Sequence, residues 1–300
     1  MNSPYVVCGA TGNVGSRIAH SLLAAGKPVR VIGRERVRLG PLAAAGAEPR
    51  PGDLEDADFL VNAFAGAQGV FAMIPPNYNA SDMAGYQNRV GESLVSALGK
   101  ARVPRIVTLS SVGAHLSGGT GPIRGLHDFE ANAGRLRDAE VVHLRAAYFM
   151  ENFLWSIPVI RGQGVNGGTI LPDTPIPMVA TKDIAAEAAR LLLAETVVGH
   201  SVRYLLGPRD LTLSEATRMI GEAIGKPDLP YIQFPEDEAR KAMSGMAMSG
   251  SAVEALLEMQ RAFNAGRIRP TQERNASNTT PTTLEEFAQT VFAHSYRAAA

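Results

Sequence analysis

Short apolar runs alternating with amphipathic stretches set the rhythm of the first 150 residues. Tyr5-Val6-Val7, Pro28 to Ile32, Ala47 to Arg50, Gly69 to Ile74, Arg105 to Ser111 and Val141 to Arg145 have the length and composition of strands. Helical patterns lie between them over Val14–Ala25, Val37–Ala45, Asp82–Lys100 and Arg124–Arg137; in the third, Val90, Leu94, Val95 and Leu98 share one face. Alternation at these lengths predicts right-handed βαβ units and hence an α/β fold built on a doubly wound parallel sheet. Beyond Arg145 the pattern loosens. Residues 161–177 are rich in Gly and Pro, and helices are predicted again over Asp183–Ala194 and Ser214–Gly225. Thr212 with Glu215 makes a capping box for the latter, and Thr282 with Glu285 has the same spacing near the end. Residues 1–155 are therefore expected to form the core, with 156–300 a mixed segment that completes it and adds a smaller, mostly helical region.

The passage from the first strand to the first helix is Cys8-Gly9-Ala10-Thr11-Gly12-Asn13-Val14-Gly15. Strand, glycine turn and helix N-terminus in that order hold a pyrophosphate, because the backbone can approach the ligand and the helix offers unpaired N–H groups with a partial positive charge. Gly9, Thr11, Gly12, Asn13, Val14 and Gly15 are accordingly candidate cofactor contacts. The G-x-x-G-x-x-G spacing departs from the simpler G-x-G-x-x-G.

The second strand ends in Gly33-Arg34-Glu35-Arg36, where a carboxylate selects NAD and an arginine accommodates the extra phosphate of NADP. Arg34 and Arg36 are phosphate ligands or solvated turn residues; the glycine turn favours the first reading for Arg34 and NADP(H) over NAD(H). Asp53, beside Leu54, caps the next helix or lies beside the adenine, with Asp56 an alternative cap. In a parallel sheet ligands bind outside the carboxyl ends of the strands, so Met73, Ile74, Pro75 and Ser110 join the same rim.

Bulk properties narrow the classes. Lys plus Arg and Asp plus Glu stand at 29 each with no long run of one sign, so nothing resembles a nucleic-acid footprint. One cysteine forms no internal disulfide, and no stretch reaches the roughly 20 apolar residues of a membrane span. A cytoplasmic protein, monomer or homodimer, without a membrane or nucleic-acid partner is expected. Cys8 is expected to be packing, and the histidines at 20, 115, 143 and 200 lack ligand spacing, so no metal is inferred. Lys241 to Gly250, with three methionines among small residues, is either a plain loop between helices or a flexible lid over an apolar ligand.

Through Gly9 to Gly15, Val31 to Arg34, Leu109 to Ser111, Leu144 to Asn152, Thr181 to Ala185 and Thr282 to Phe287, the chain bears a resemblance to the NmrA-like group of atypical short-chain dehydrogenases/reductases. It implies a Rossmann-type NAD(P)-binding domain and either an active reductase or a redox-sensing regulator. It also places Tyr148 and Asn152 beside the nicotinamide and makes Phe149, Met150 and Phe153 apolar wall of a substrate pocket, with Trp155 either wall or core.

Ordinary short-chain dehydrogenases use a Tyr-x-x-x-Lys pair. Here the fourth residue after Tyr78 is Asp82, after Tyr86 Val90 and after Tyr148 Asn152, which disfavours that mechanism and a sugar-nucleotide epimerase with it. Lignan- and isoflavone-type relatives carry a lysine at the start of the helix after the fifth strand. This chain has His127 there, as the quinone- and azo-reductase branch has a histidine, and an imidazole with its usual pKa of about 6.5 can donate a proton near neutrality. A helix-start histidine bonded to Asp128 or Glu130 is the competing reading, and Arg145 is expected to hold a loop through a buried ion pair. The resulting expectation is an NADPH-dependent reductase passing hydride to a small electron-poor acceptor such as a quinone; an inactive NADP(H)-binding sensor that contacts a protein partner is the alternative.

Overall fold

Apolar residues alternate along the strands between two helix-covered faces. Tyr5, Val7, Val31, Phe71, Val107 and Val142 belong to one buried cluster and Val6, Cys8, Ile32, Val70, Ile106 and Val141 to the other, as strands buried on both sides require. The computed structural model describes residues 3–195 and 199–299. Its main sheet has seven strands: β1 (Tyr5–Val7), β2 (Val29–Gly33), β3 (Glu48–Pro51), β4 (Gly69–Ala72), β5 (Arg105–Ser111), β6 (Glu140–Ala146) and, far along the chain, β10 (His200–Leu205). Their spatial order is β10-β6-β5-β4-β1-β2-β3, all pairs parallel. β1 pairs with β2 on one side and β4 on the other, so the order reverses at β1 and opens a crevice beyond its carboxyl end. Six of these strands follow the sequence pattern. β10 was not legible, because it is an edge strand that begins His200-Ser201 and lacks a run of apolar residues.

The intervening helices are α1 (Asn13–Ala24), α2 (Arg36–Ala44), α3 (Ala57–Phe64), α4 (Met83–Lys100) and α5 (Ile123–Ala133). α5 stops four residues short of the predicted end, at Gly134. Asp56, not Asp53, caps α3 by accepting the Phe59 N–H at 2.9 Å; Asp53 instead accepts the Glu55 N–H in a local turn. Cys8 is fully buried, and burial pushes its thiol pKa upward, as packing implies. Among the described residues no helix is long and apolar enough to cross a membrane.

After β6 the chain forms β7 (Tyr148–Phe149), a 3-10 helix over Met150–Ser156, α6 (Ile157–Gln163), β8 (Asn166–Gly168), β9 (Ile176–Val179) and α7 (Thr181–Leu193), which packs against α1. Beyond β10 come β11 (Asp210–Leu211), α8 (Leu213–Ala223), β12 (Tyr231–Gln233), α9 (Glu236–Gly245) and α10 (Gly250–Asn264). Two small sheets, β11-β9-β7 and β12-β8, tie this part together. The capping box of α8 is present, with Thr212 Oγ1 accepting the Glu215 N–H at 3.1 Å and Glu215 accepting the Thr212 N–H at 2.8 Å.

Two expectations are corrected. Lys241 to Gly245 are the end of α9 rather than loop, and Ser249 caps α10 by accepting the Ala252 N–H, so the segment is a helical corner. Near the end, the cap of α11 (Leu284–Phe287) is Thr283, which accepts the Glu286 N–H at 3.1 Å, one residue later than the Thr282–Glu285 spacing suggested. Thr282 is committed elsewhere: its N–H and hydroxyl both donate to the Asp183 carboxylate, at 3.0 and 2.7 Å. Asp183 is on α7, whose first residue, Thr181, gives its N–H to Glu151 at 3.0 Å. These bonds fasten the 3-10 helix, α7 and the C-terminal helix into one support.

Removing the Asp183 carboxylate strands two buried donors of Thr282, each costing about 1–3 kcal/mol. Asp183→Ala is expected to lower unfolding free energy by about 2–4 kcal/mol, against about 1 kcal/mol for Thr283→Ala, in denaturant titrations; equal effects would contradict the assignment.

Candidate active site

Gly9 leaves β1 at φ +64°, a left-handed conformation that glycine adopts without strain. A methyl group on Gly15 would overlap the Gly9 carbonyl oxygen, so the first turn of α1 lies directly on the turn that precedes it. Gly12, the N-cap, provides no side-chain acceptor, and the first turn of α1 has no acidic residue. The N-terminal N–H groups and positive end of this twelve-residue helix thus face the crevice at the reversal of the sheet, with no carboxylate of their own first turn to neutralise them. This cradle suits a pyrophosphate, and Thr11, Asn13 and Val14 lie within it.

Backbone bonds register the neighbouring strand ends on the turn. The Ala10 N–H donates to the Ile32 carbonyl at 3.1 Å and the Cys8 N–H to the Phe71 carbonyl at 3.0 Å. Arg34 follows two residues after Ile32; it is exposed and has no ion-pair partner among the described residues. Arg36 instead opens α2. The Gly52 N–H donates to the Gly33 carbonyl at 3.1 Å, which brings exposed Asp53 and buried Leu54 beside the same edge. Met73 lies against Gly9, with buried Ile74 and half-buried Pro75 continuing the rim.

The other candidates gather around β6, β7 and α5. Tyr148 packs edge-on against Phe153, centroids 5.8 Å apart, and against Phe263 of α10 at 6.4 Å. Burial pushes its phenol pKa up to about 12, against the lowering effect of a hydrogen bond with Asn152, so the hydroxyl stays protonated at neutral pH. Phe149 is half-buried, Phe153 buried and Asn152 exposed. Trp155 is not core: 63% of its surface is exposed.

His127 is half-buried on α5, with Nδ1 2.8 Å from the Ala114 carbonyl oxygen. A carbonyl only accepts, so Nδ1 carries a proton and Nε2 is the exchangeable position. The partner is thus the β5–α5 loop, not Asp128 or Glu130. Glu130, one turn further, accepts from Arg145 Nε and Nη2 at 3.0 and 2.6 Å and from the Ser110 hydroxyl. Arg145 also donates to the Tyr204 hydroxyl at 3.1 Å. The Ser110 side chain is consequently 3% exposed and turned into this network, which leaves only its place at the strand end toward the rim.

His115, whose spacing argued against a metal ligand, was given no other role by the sequence. It lies in the loop that holds His127, its Nδ1 is buried with no hydrogen-bond partner among the described residues, and burial, with the nearby Arg145 and Arg269 charges, lowers its pKa. Its spacing gave no signal. The partners of Arg145 were equally hidden, although Glu130 falls one helical turn from His127. A groove of about 270 Å³ between α4 and α5, lined by Gln87, Gly91, Gly125 and Phe129 among others, contains none of the candidate residues. Among the described residues no cluster of His, Cys, Asp and Glu has the grouping of a metal site.

The model of the NmrA-like family matches residues 1–288. An NAD(P)H azoreductase of Xenophilus azovorans is 26% identical over 258 residues, 85% of each chain. Among solved structures, NADPH-dependent quinone oxidoreductase of Escherichia coli complexed with NADPH superposes with a TM-score of 0.81 at 22% identity, covering 96% of this chain and 99% of that one. Triphenylmethane reductase of Citrobacter sp. complexed with NADP(H) does so at 0.77 and 20% identity, covering 96% and 100%. At those identities the structural likenesses establish the fold.

Proposed function

Because the chain belongs to the NmrA-like family, we propose that it is an NADPH-dependent reductase that passes hydride to a small, electron-poor acceptor such as a quinone. The observation that carries this reading is the α1 N-terminus without a side-chain cap on the Gly9–Gly15 contact, with Arg34, which has no ion-pair partner among the described residues, directly after β2. The reductases named among the relatives support it. When bound, the nicotinamide supplies the hydride; the protein's residues bind, orient and exclude water. Gly9, Thr11, Gly12, Asn13, Val14 and Gly15 hold the pyrophosphate, and Arg34 the 2′-phosphate. Asp53 and Leu54 border the adenosine, while Met73, Ile74, the Ser110 strand end, Tyr148 and Asn152 border the nicotinamide. Pro75, Phe149 and Phe153 form apolar wall.

A quinone takes one hydride and one proton to become a hydroquinone. His127 is the proposed source of the proton, from Nε2 when both ring nitrogens are protonated, with Nδ1 anchored on Ala114. One imidazole supplies the single proton this reduction needs, so no Tyr-x-x-x-Lys pair is required.

Purified protein supplied with quinones, azo dyes and enones is expected to oxidise NADPH with at least one quinone; saturable NADP(H) binding with no turnover across the panel would instead support the sensor reading. Arg34→Ala is expected to weaken NADPH binding about 10- to 100-fold, the loss of a charged hydrogen bond, while NADH changes less than about threefold. Equal losses for both nucleotides would return Arg34 to a solvated turn residue. His127→Ala should lower kcat with the best quinone by about 10-fold or more, and an unchanged kcat would remove the proton-donor role.

A further inference from the structure

The binding of cofactor and the transfer of a proton make no use of the aromatic pair formed by Trp155 and Tyr78. Trp155 is the one tryptophan of the chain and is 63% exposed. It stands two residues beyond Phe153, on the 3-10 helix that continues from the Tyr148–Phe149 wall. Tyr78 meets it edge-on, with centroids 6.5 Å apart and planes at 89°. Tyr78 lies three residues past Pro75, in the loop after β4, and that loop is held in place from the other side. Its carbonyl accepts the Ser249 N–H at 2.8 Å, and the Ser249 hydroxyl donates to the Ala80 carbonyl at 2.6 Å. The pair therefore bridges the two stretches that carry the candidate wall, Met73–Pro75 and Tyr148–Phe153, at the side where that wall meets solvent. An indole left mostly in water contributes little to folding, and an edge-on contact leaves ring surface free to stack. Burial also raises the Tyr78 pKa, so its phenol adds no charge to the pair.

We propose that Trp155 and Tyr78 form an outer aromatic subsite that stacks a second ring of a planar, polycyclic acceptor while its reducible ring occupies the inner pocket. The proposal rests on the reductase reading for the inner ring. It sharpens that reading to acceptors with fused or conjugated rings, and it assigns selectivity among them to residues that touch neither cofactor nor proton.

The lone tryptophan makes the test direct. Its emission is titrated in the complex with NADP+, which cannot donate hydride, using the three-ring 9,10-phenanthrenequinone and the one-ring duroquinone, with correction for probe absorption. Saturable quenching by phenanthrenequinone and only linear, collisional quenching by duroquinone are expected. In steady-state assays Trp155→Ala is expected to narrow the KM ratio of the two quinones by roughly 3- to 10-fold, the range of one aromatic stack, while Trp155→Phe retains most of the ratio. Tyr78→Ala gives an independent second variant. Linear quenching by both probes, or an unchanged KM ratio in both alanine variants, would overturn the subsite while leaving any observed turnover intact. Saturable quenching without NADPH oxidation by any quinone would keep the subsite as a binding site for planar aromatics and overturn the reductase reading. Linear quenching without turnover would overturn both.

Discussion

The close approach of Gly15 to the Gly9 carbonyl fixes where everything else in this protein can act. It lays the first turn of α1 on the carboxyl end of β1 at the point where the strand order reverses. Because no side chain caps that helix, its N–H groups and dipole are available to an anion from outside the chain. Bonds from Cys8 and Ala10 to the neighbouring strands then bring the ends of β2 and β4 to the same rim. In the proposed reading, a cofactor held there would have its adenosine end toward Arg34 and its reactive end toward β4, β5 and β6, the position of the chemistry following from backbone geometry.

A second constraint acts on the far side of the crevice. The Glu130 carboxylate, buried between Arg145 and Ser110, ties α5 to β5 and β6. Since His127 lies one turn away on the same helix and bonds the Ala114 carbonyl, this ion pair also fixes the orientation of the imidazole. Breaking such a pair would strand a buried charge, which gives the anchor its rigidity. The wall opposite, from Tyr148 to Trp155, is supported differently, through Glu151 to Thr181 on α7 and from Asp183 to Thr282.

That chain of bonds explains what was legible in the sequence. The Rossmann-type core was, because both of its signals are local: short continuous apolar runs in the strands and glycines at fixed spacing in the turn. The segments Leu144–Asn152, Thr181–Ala185 and Thr282–Phe287 were legible as family motifs, but their physical role was not. Glu151 meets Thr181, and Asp183 meets Thr282, only in three dimensions, and these bonds support the wall. The same non-locality shifted the last helix cap by one residue, because a tertiary bond to Asp183 took the threonine that local spacing had assigned. It also hid the helical corner at Lys241–Gly250, whose small residues and methionines resemble a loop until Ser249 is seen to cap α10 and bond the β4 loop. His115 shows the limit from the other direction, since an unpartnered buried nitrogen is a property of surroundings that no spacing records.

If the uncapped α1 turn and Arg34 together form an NADP cradle, a crystal structure of the protein grown with NADP+ will show the pyrophosphate on the Gly12–Gly15 turn and the 2′-phosphate paired with Arg34. A nucleotide bound elsewhere, or bound on the turn with its 2′-phosphate away from Arg34, would contradict it.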